Sequence, residues 1–183
     1  MNTKTVCRGY TLIELLITLG VVSVLLTGMA PAMSSMIQST QVDAGVQMFT
    51  SSLMLARSEA VKRNTRVVMC KSAGGSACEP DADWEKGWIV FHDLNSNGVL
   101  DSGEHVLRRV AAMSPSLRLQ GNEPVSQYVL YTPLGYTKLL SGAFQAGTFT
   151  ICATAGSRVK AKQVVITSVG RVRVVNADLR QCV

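Results

Sequence analysis

Aromatic residues make up only 5% of this 183-residue chain, and there are only two histidines. No CxxC pair, glycine-rich nucleotide loop or G-x-S-x-G elbow occurs anywhere in it. Each absence excludes something. Without paired cysteines or clustered histidines, a structural zinc site has no ligand set. Without a nucleophile elbow, a phosphate-binding loop or a paired acid and base, the common hydrolytic and nucleotide chemistries have no residues to run on. His92 and His105 flank an acidic loop, belong to no nucleophile–base arrangement, and read as exposed strand histidines. The chain is therefore not expected to be an enzyme. Internal repeats and low-complexity tracts are absent too, and the length allows one domain plus an appendage.

Charge is missing from one long stretch. Residues 15–33 carry none, enough helix to span about 30 Å of hydrocarbon. A short leader, MNTKTVCRG, precedes it with Lys4 and Arg8, and the positive-inside rule keeps such a segment cytoplasmic. A secretory signal would place a small-residue cleavage site after the apolar run, whereas here Gly9 stands before it. One carboxylate, Glu14, sits at the start of this membrane-grade segment, where an ionisable group is costly and marks function. Pro31 removes a backbone donor and should bend or locally melt the helix.

The stretch RGYTLIELLITLGVVSVL resembles the N-terminus of type IV pilins and type II secretion pseudopilins. The resemblance implies that a prepilin peptidase cuts between Gly9 and Tyr10 and methylates the new N-terminus, with Tyr10 replacing the usual phenylalanine. Glu14 then becomes the fifth mature residue. In a filament it would pair with the α-amino group of a neighbouring subunit, and apolar surroundings strengthen such a pair. An unpaired Glu14 is penalised, which favours assembly over idling in the bilayer. The implied location is the bacterial inner membrane as a single-pass precursor, then a periplasmic or extracellular pilus.

Beyond Pro31 an amphipathic helix is predicted over 34–64. Val42, Val46, Phe49, Leu53, Ala56 and Ala60 recur at 4-3-4-3-4 spacing and form one apolar stripe that needs a partner surface. After KRN the texture changes to short β-prone runs at 65–70, 87–92, 105–110, 127–132, 148–153 and 162–175, separated by Gly, Pro, Asn and Ser clusters. The expected fold is α+β, a long N-terminal helix packed on small antiparallel sheets. Four segments follow: leader 1–9, transmembrane or filament-core helix 10–33, amphipathic helix 34–64, and a β-rich globular domain 65–183.

Five cysteines are present, and cleavage after Gly9 would discard Cys7 and leave Cys70, Cys78, Cys152 and Cys182. An export signal and an even count imply an oxidising compartment and disulfides, with three connectivities open. We favour Cys70–Cys78, closing a small loop, and Cys152–Cys182, tying down the C-terminal tail. The acidic loop DLNSNGVLDSGE at 93–104 fits D-x-[DN]-x-[DN]-G-x5-E. Asp93, Asn95, Asn97, Asp101 and Glu104 would supply side-chain oxygens to calcium, with the Val99 carbonyl beside them and Gly98 at the sharp turn. The strand-like flanks argue instead for a polar β-hairpin whose Asn and Gly serve turn geometry. No cofactor is required by the sequence; calcium is the one candidate.

Residues 84–98 (W-x-x-GW-x-V-F-x-D-x-N-x-N-G) and ARSEAVKRN at 56–64 resemble the GspH/FimT branch of the pilin-like proteins. In that branch a long helix packs on two small antiparallel sheets. Charge is polarised along the chain. Between 72 and 107 seven acids face one base, Lys86, while from 124 to 183 Lys138, Arg158, Lys160, Lys162, Arg171, Arg173 and Arg180 face only Asp178. Clustered positive charge is the footprint of a polyanion binder. In SVGRVRVV, Arg171 and Arg173 would project from one strand face about 7 Å apart, close to a phosphate step, and Gly170 would let the backbone turn or approach. The segment resembles the GRxR motif associated with DNA binding in FimT minor pilins. SRVKAK at 157–162 would add Arg158, Lys160 and Lys162 on a neighbouring flexible loop. The competing reading leaves Arg171 and Arg173 facing water or paired with the acids of 72–107. The sequence thus points to a FimT-type minor pilin that binds double-stranded DNA without sequence preference and serves DNA uptake or pilus biogenesis. The alternative is a GspH-like minor pseudopilin of type II secretion with a purely structural role. Expected partners are other pilin subunits, the prepilin peptidase, DNA, and the inner membrane before assembly.

Overall fold

The computed structural model describes residues 10–154, 159–179 and 182, with the side chains of 27–32, 34, 35, 159, 160, 178 and 179 left out. The leader 1–9, including the Gly9 side of the expected cleavage site, lies outside the described residues. The chain divides into two compact units, Met1–Ile37 and Gln38–Val183.

In the first unit, helix α1 (Leu12–Arg63) begins. Thr11 stands at its N-cap and accepts the Glu14 N–H on Oγ1 at 3.4 Å, the T-x-x-E arrangement of a capping box. Glu14 lies in the first turn, where the positive end of the helix dipole favours an anion. The helix runs through Pro31 without interruption, so the expected melting does not occur. One missing donor leaves the ladder on either side intact. From Leu12 to Leu26 every residue is exposed, including Ile13, Leu15, Leu16, Ile17, Leu19 and Val24. A helix apolar on all sides is built to be covered. Among the described residues no helix is long and apolar enough to cross a membrane; the uncharged run 15–33 continues into 27–32, whose side chains are not described.

In the second unit the helical stripe is the centre of the core. Phe49, Leu53, Ala56 and Ala60 are fully buried, and Val42 and Val46 nearly so, as the 4-3-4 spacing predicts. The helix ends in a Schellman motif: Asn64 takes φ +53°, Asn64 N–H reaches the Val61 carbonyl, and Thr65 N–H reaches that of Ala60.

Two four-stranded antiparallel sheets follow. Strands β1 (Arg66–Lys71), β2 (Trp88–Asp93), β3 (Val106–Val110) and β5 (Tyr128–Tyr131) pair in the order β3-β2-β1-β5. Strands β4 (Leu117–Gly121), β6 (Gly147–Ala153), β7 (Val159–Ile166) and β8 (Val172–Leu179) pair in the order β4-β6-β7-β8. One hydrophobic cluster joins the helical stripe to both sheets. At its heart Phe49 meets Trp84, Trp88 and Phe149 edge-on, with centroids 5.6, 5.2 and 4.6 Å away. Edge-to-face contacts of this kind add to plain burial. A second cluster (Val68, Cys70, Ile89, Phe91 and Leu130) covers the other face of the first sheet.

Both expected disulfides are present, Cys70–Cys78 and Cys152–Cys182. Two elements escaped the sequence reading, strand β4 and a 3₁₀ turn at Trp84–Lys86. Strand β4 alternates buried Leu117 and Leu119 with exposed Arg118 and Gln120, a period-2 signal that was there to be read.

Candidate nucleic-acid interface

Strands β7 and β8 form a hairpin in which Ile166 faces Val172 and Val165 faces Arg173. Thr167 and Arg171 close it, with Thr167 N–H donating to the Arg171 carbonyl. Three residues remain for the loop, and its last, Gly170, has φ +74°. That left-handed conformation is what a three-residue hairpin loop asks of its final position, and glycine takes it without steric cost. Gly170 N–H bonds back to the Thr167 carbonyl at 2.8 Å. The residue is buried, and a Cβ there would run into the carbonyl oxygen of Gly135. Gly170 therefore shapes the turn from inside and presents no surface to a ligand, which corrects its expected place among the DNA contacts.

The tip is clamped from two directions. Arg57 on α1 donates from Nη2 to the Val169 carbonyl at 3.2 Å. Thr137, fully buried, donates its N–H to the Ser168 carbonyl at 3.1 Å and its hydroxyl lies 3.1 Å from the Thr167 carbonyl. The sequence reading gave neither Arg57 nor Thr137 a role, because both act across long sequence separations.

Arg171 and Arg173 are exposed, and no ion pair to either occurs among the described residues. The acids of 72–107 do not claim them; Glu85 holds Arg118 instead, at 2.8 Å. On β7, Val164 and Ile166 are buried toward the core, so Val165 and the Arg173 opposite it lie on the other, outer face.

Lys162 does not belong with them. It sits on β7 rather than a flexible loop, on the inward-facing parity, and pairs with Asp43 of α1. Strand pairing with the helix side, invisible in the linear sequence, explains the difference. Arg158 and the Lys160 side chain lie outside what is described, although the Lys160 backbone extends β7.

The acidic loop closes on itself. Asp93 accepts the N–H groups of Asn97 and Gly98, and Glu104 those of Leu94 and Asp101. Asp101 accepts the side-chain amides of both Asn95 and Asn97 at 2.8 Å, which hold its carboxyl below the usual range. Burial pushes Asp93 up. Asn95 and Asn97 accept N–H groups two residues on, as in Asx turns. Among the described residues no group of three or more His, Cys, Asp or Glu side chains is placed to hold a metal ion.

His105 is exposed, but His92 is not. It is buried with Nε2 lacking a hydrogen-bond partner, 3.9 Å from Glu59, and burial holds its pKa below the ordinary value. The expectation of an exposed strand histidine fails here because His92 shares the inner face of β2 with Trp88 and Val90, opposite Val67 and against α1 at Glu59. Glu14 and Tyr10 are both exposed, and Tyr10 lies just ahead of the capped first turn.

Comparison with known proteins agrees with this architecture. The family model described as "Type II transport protein GspH" matches residues 46–170, and the prokaryotic N-terminal methylation motif matches residues 4–30. The Pilin-like protein PilA1 of Thermus thermophilus is 29% identical over 178 residues, covering 91% of this chain and 97% of that one. Two crystal structures of the type IV minor pilin FimU from Pseudomonas aeruginosa share the fold at 21% identity, with TM-scores of 0.58 and 0.55. They cover 79% and 77% of this chain, and 96% and 99% of their own. Arg171 and Arg173 lie just beyond the matched span. With an N-terminal methylation motif, a long helix on two small antiparallel sheets, and a match over most of its length, the chain belongs to the GspH family of type IV pilin-like proteins.

Proposed function

We propose that this chain is a minor pilin of a type IV pilus that binds double-stranded DNA through the β7–β8 hairpin and so contributes to DNA uptake or pilus biogenesis. One observation carries the reading: Arg171 and Arg173 stand exposed, without an ion pair among the described residues, on a hairpin whose tip is clamped by Arg57 and Thr137. Two arginines without a carboxylate partner among the described residues can neutralise phosphates, and such contacts are independent of sequence and sensitive to salt. A rigid tip also loses less freedom on binding than a loose one.

The N-terminal half supplies the assembly. Cleavage after Gly9 would free the amine of Tyr10, and the exposed, capped first turn would present Glu14 to the neighbouring subunit's amine. Before assembly the uncharged run 15–33 would anchor the precursor in the inner membrane; afterwards the apolar helix surface would be covered by other subunits. The family match to a type II transport protein favours a second reading, in which the chain is a minor pseudopilin with a purely structural role. The acidic loop fits a self-closed turn better than a calcium site, since its carboxylates already accept the loop's own donors.

Gel-shift measurement with residues 38–183, the unit that contains the whole core, separates the two readings. The first expects retardation of duplex DNA that disappears in the Arg171→Ala/Arg173→Ala double variant. No retardation by the unsubstituted unit supports the pseudopilin reading instead.

A further inference from the structure

Four strand edges are available in the two sheets, and three are closed off. Strand β5 is capped by Gln145, whose amide bonds Leu130 N–H and the Tyr128 carbonyl, and by Lys138 N–H on the Leu130 carbonyl. On β4 the outward Leu119 N–H is taken by the Glu85 carboxylate. Strand β3 is five residues long, shifts register opposite Val90 and Phe91, and carries Arg108 and Arg109. These are the usual ways of blunting an edge.

Strand β8 carries one exposed charge, Arg173, but among the described residues it has neither a capping side chain nor a register shift. It runs eight residues in unbroken register with β7. The Thr167–Arg171 hydrogen bond fixes the phase: Arg173 and Val175 turn their amides toward β7, while Val172, Val174 and Asn176 turn theirs away. Strand β8 is the last in its sheet and pairs with β7 alone, so among the described residues no strand meets those outward groups. The side chains are sorted by face as well. Arg171 and Arg173 lie on the outer side, whereas Val172 packs on the core cluster and Val174, on the same side, is 43% exposed.

We infer that the free edge of β8 is a docking edge for an extended strand of another filament subunit, with carboxylates on the side meeting Arg171 and Arg173 and apolar residues on the side meeting Val172 and Val174. Backbone groups of the added strand satisfy the outward amides, and alternate side chains supply selectivity. Charge selects the occupant: a carboxylate placed directly across from Arg173 is favourable, and a like charge there is not. A second copy of this chain would set two arginine-bearing strands side by side, so it is the poorer occupant. The proposal rests on the filament reading only for the source of the strand, and it makes that strand and DNA alternative occupants of Arg171 and Arg173.

The test uses the full chain, isotopically labelled in detergent micelles, with a synthetic eight-residue peptide alternating glutamate and valine as probe. Saturating peptide should slow hydrogen exchange at Val172, Val174 and Asn176 by about tenfold or more, as expected for newly bonded edge amides. A peptide N-methylated at alternate residues should give no protection, and one with lysine for glutamate should bind at least about tenfold more weakly. Asn176→Pro removes one outward amide and no β7 bond; it should abolish protection of Val174 while leaving DNA affinity unchanged. Unprotected amides at saturation, equal protection by the lysine peptide, or a dimer of the chain alone with those amides already protected would each overturn the proposal. Because all of these are read on the isolated chain, they stand or fall apart from any test of filament incorporation.

Discussion

Replacing Gly170 with alanine separates architecture from recognition at the hairpin tip. Two costs follow from the geometry. Alanine at φ +74° sits in the left-handed region, worth about 1–2 kcal/mol. Its Cβ would also meet the Gly135 carbonyl and come within 3.0 Å of the Tyr131 ring, and overpacking of that kind costs about 1–3 kcal/mol. The sum is about 2–5 kcal/mol. At about 2–4 °C per kcal/mol for a domain of this size, the midpoint of thermal unfolding of residues 38–183 should fall by roughly 4–20 °C by circular dichroism. Gly170→Asn splits the two costs, because asparagine tolerates the left-handed region but still carries a Cβ. Its larger side chain at this buried position raises the overpacking cost, so if the contact with Gly135 dominates, its loss should be at least that of alanine. A Gly170→Ala variant that melts like wild type would refute this account of the turn. One that keeps its midpoint but loses DNA would make Gly170 a contact rather than a hinge of the fold.

Three further outcomes are expected. Phe49→Ala empties the middle of a cluster of four fully packed aromatic side chains, and should cost about 3–5 kcal/mol in urea unfolding. A loss under about 1 kcal/mol would mean that the core is organised elsewhere. His92 is held below the ordinary histidine pKa by burial, so the unfolded chain takes up its proton first and stability should fall as pH drops below about 6.5. Glu59, held down chiefly by its hydrogen bond from Arg63, acts in the same direction only near and below the ordinary carboxylate range. The urea midpoint between pH 5 and 7 should therefore flatten in His92→Gln, and an unaltered profile would place the sensitivity in another group. Finally, the self-closed acidic loop predicts that chelator-treated and calcium-saturated domain melt within about 1 °C of each other. A stabilisation of several degrees would require calcium to bind the native state well below the added concentration, and would restore the ligand set Asp93, Asn95, Asn97, Asp101 and Glu104.

Local periodicity carried much of the fold. The 4-3-4 stripe from Val42 to Ala60 announced a helix with one buried face, and it is buried. The β-prone runs after Asn64 became strands within a few residues of their expected ends, and the two disulfides closed as favoured. What failed depended on partners distant in sequence. Lys162 looked like one more charge in a basic loop until strand pairing turned it toward Asp43. His92 looked like a solvated strand residue until strand parity turned it inward against α1 at Glu59. Gly170 was legible as a turn residue, but not that Gly135 would press against it. The clamp of Arg57 and Thr137 on the hairpin tip, which holds the candidate site in place, spans separations no short motif encodes. The exposure of Arg171 and Arg173, the candidate contacts, was legible because a solvated charge needs no distant partner.

The account turns on those two arginines meeting phosphate. Fluorescence anisotropy of a labelled duplex with residues 38–183, measured from about 50 to 200 mM salt, tests it most directly. Wild type should bind with affinity falling linearly on logarithmic axes, and Arg171→Ala/Arg173→Ala should make that line shallower by about 1.8, some 0.9 for each lost phosphate contact, with an unchanged melting temperature. Equal affinity and equal slope for the two proteins would contradict it.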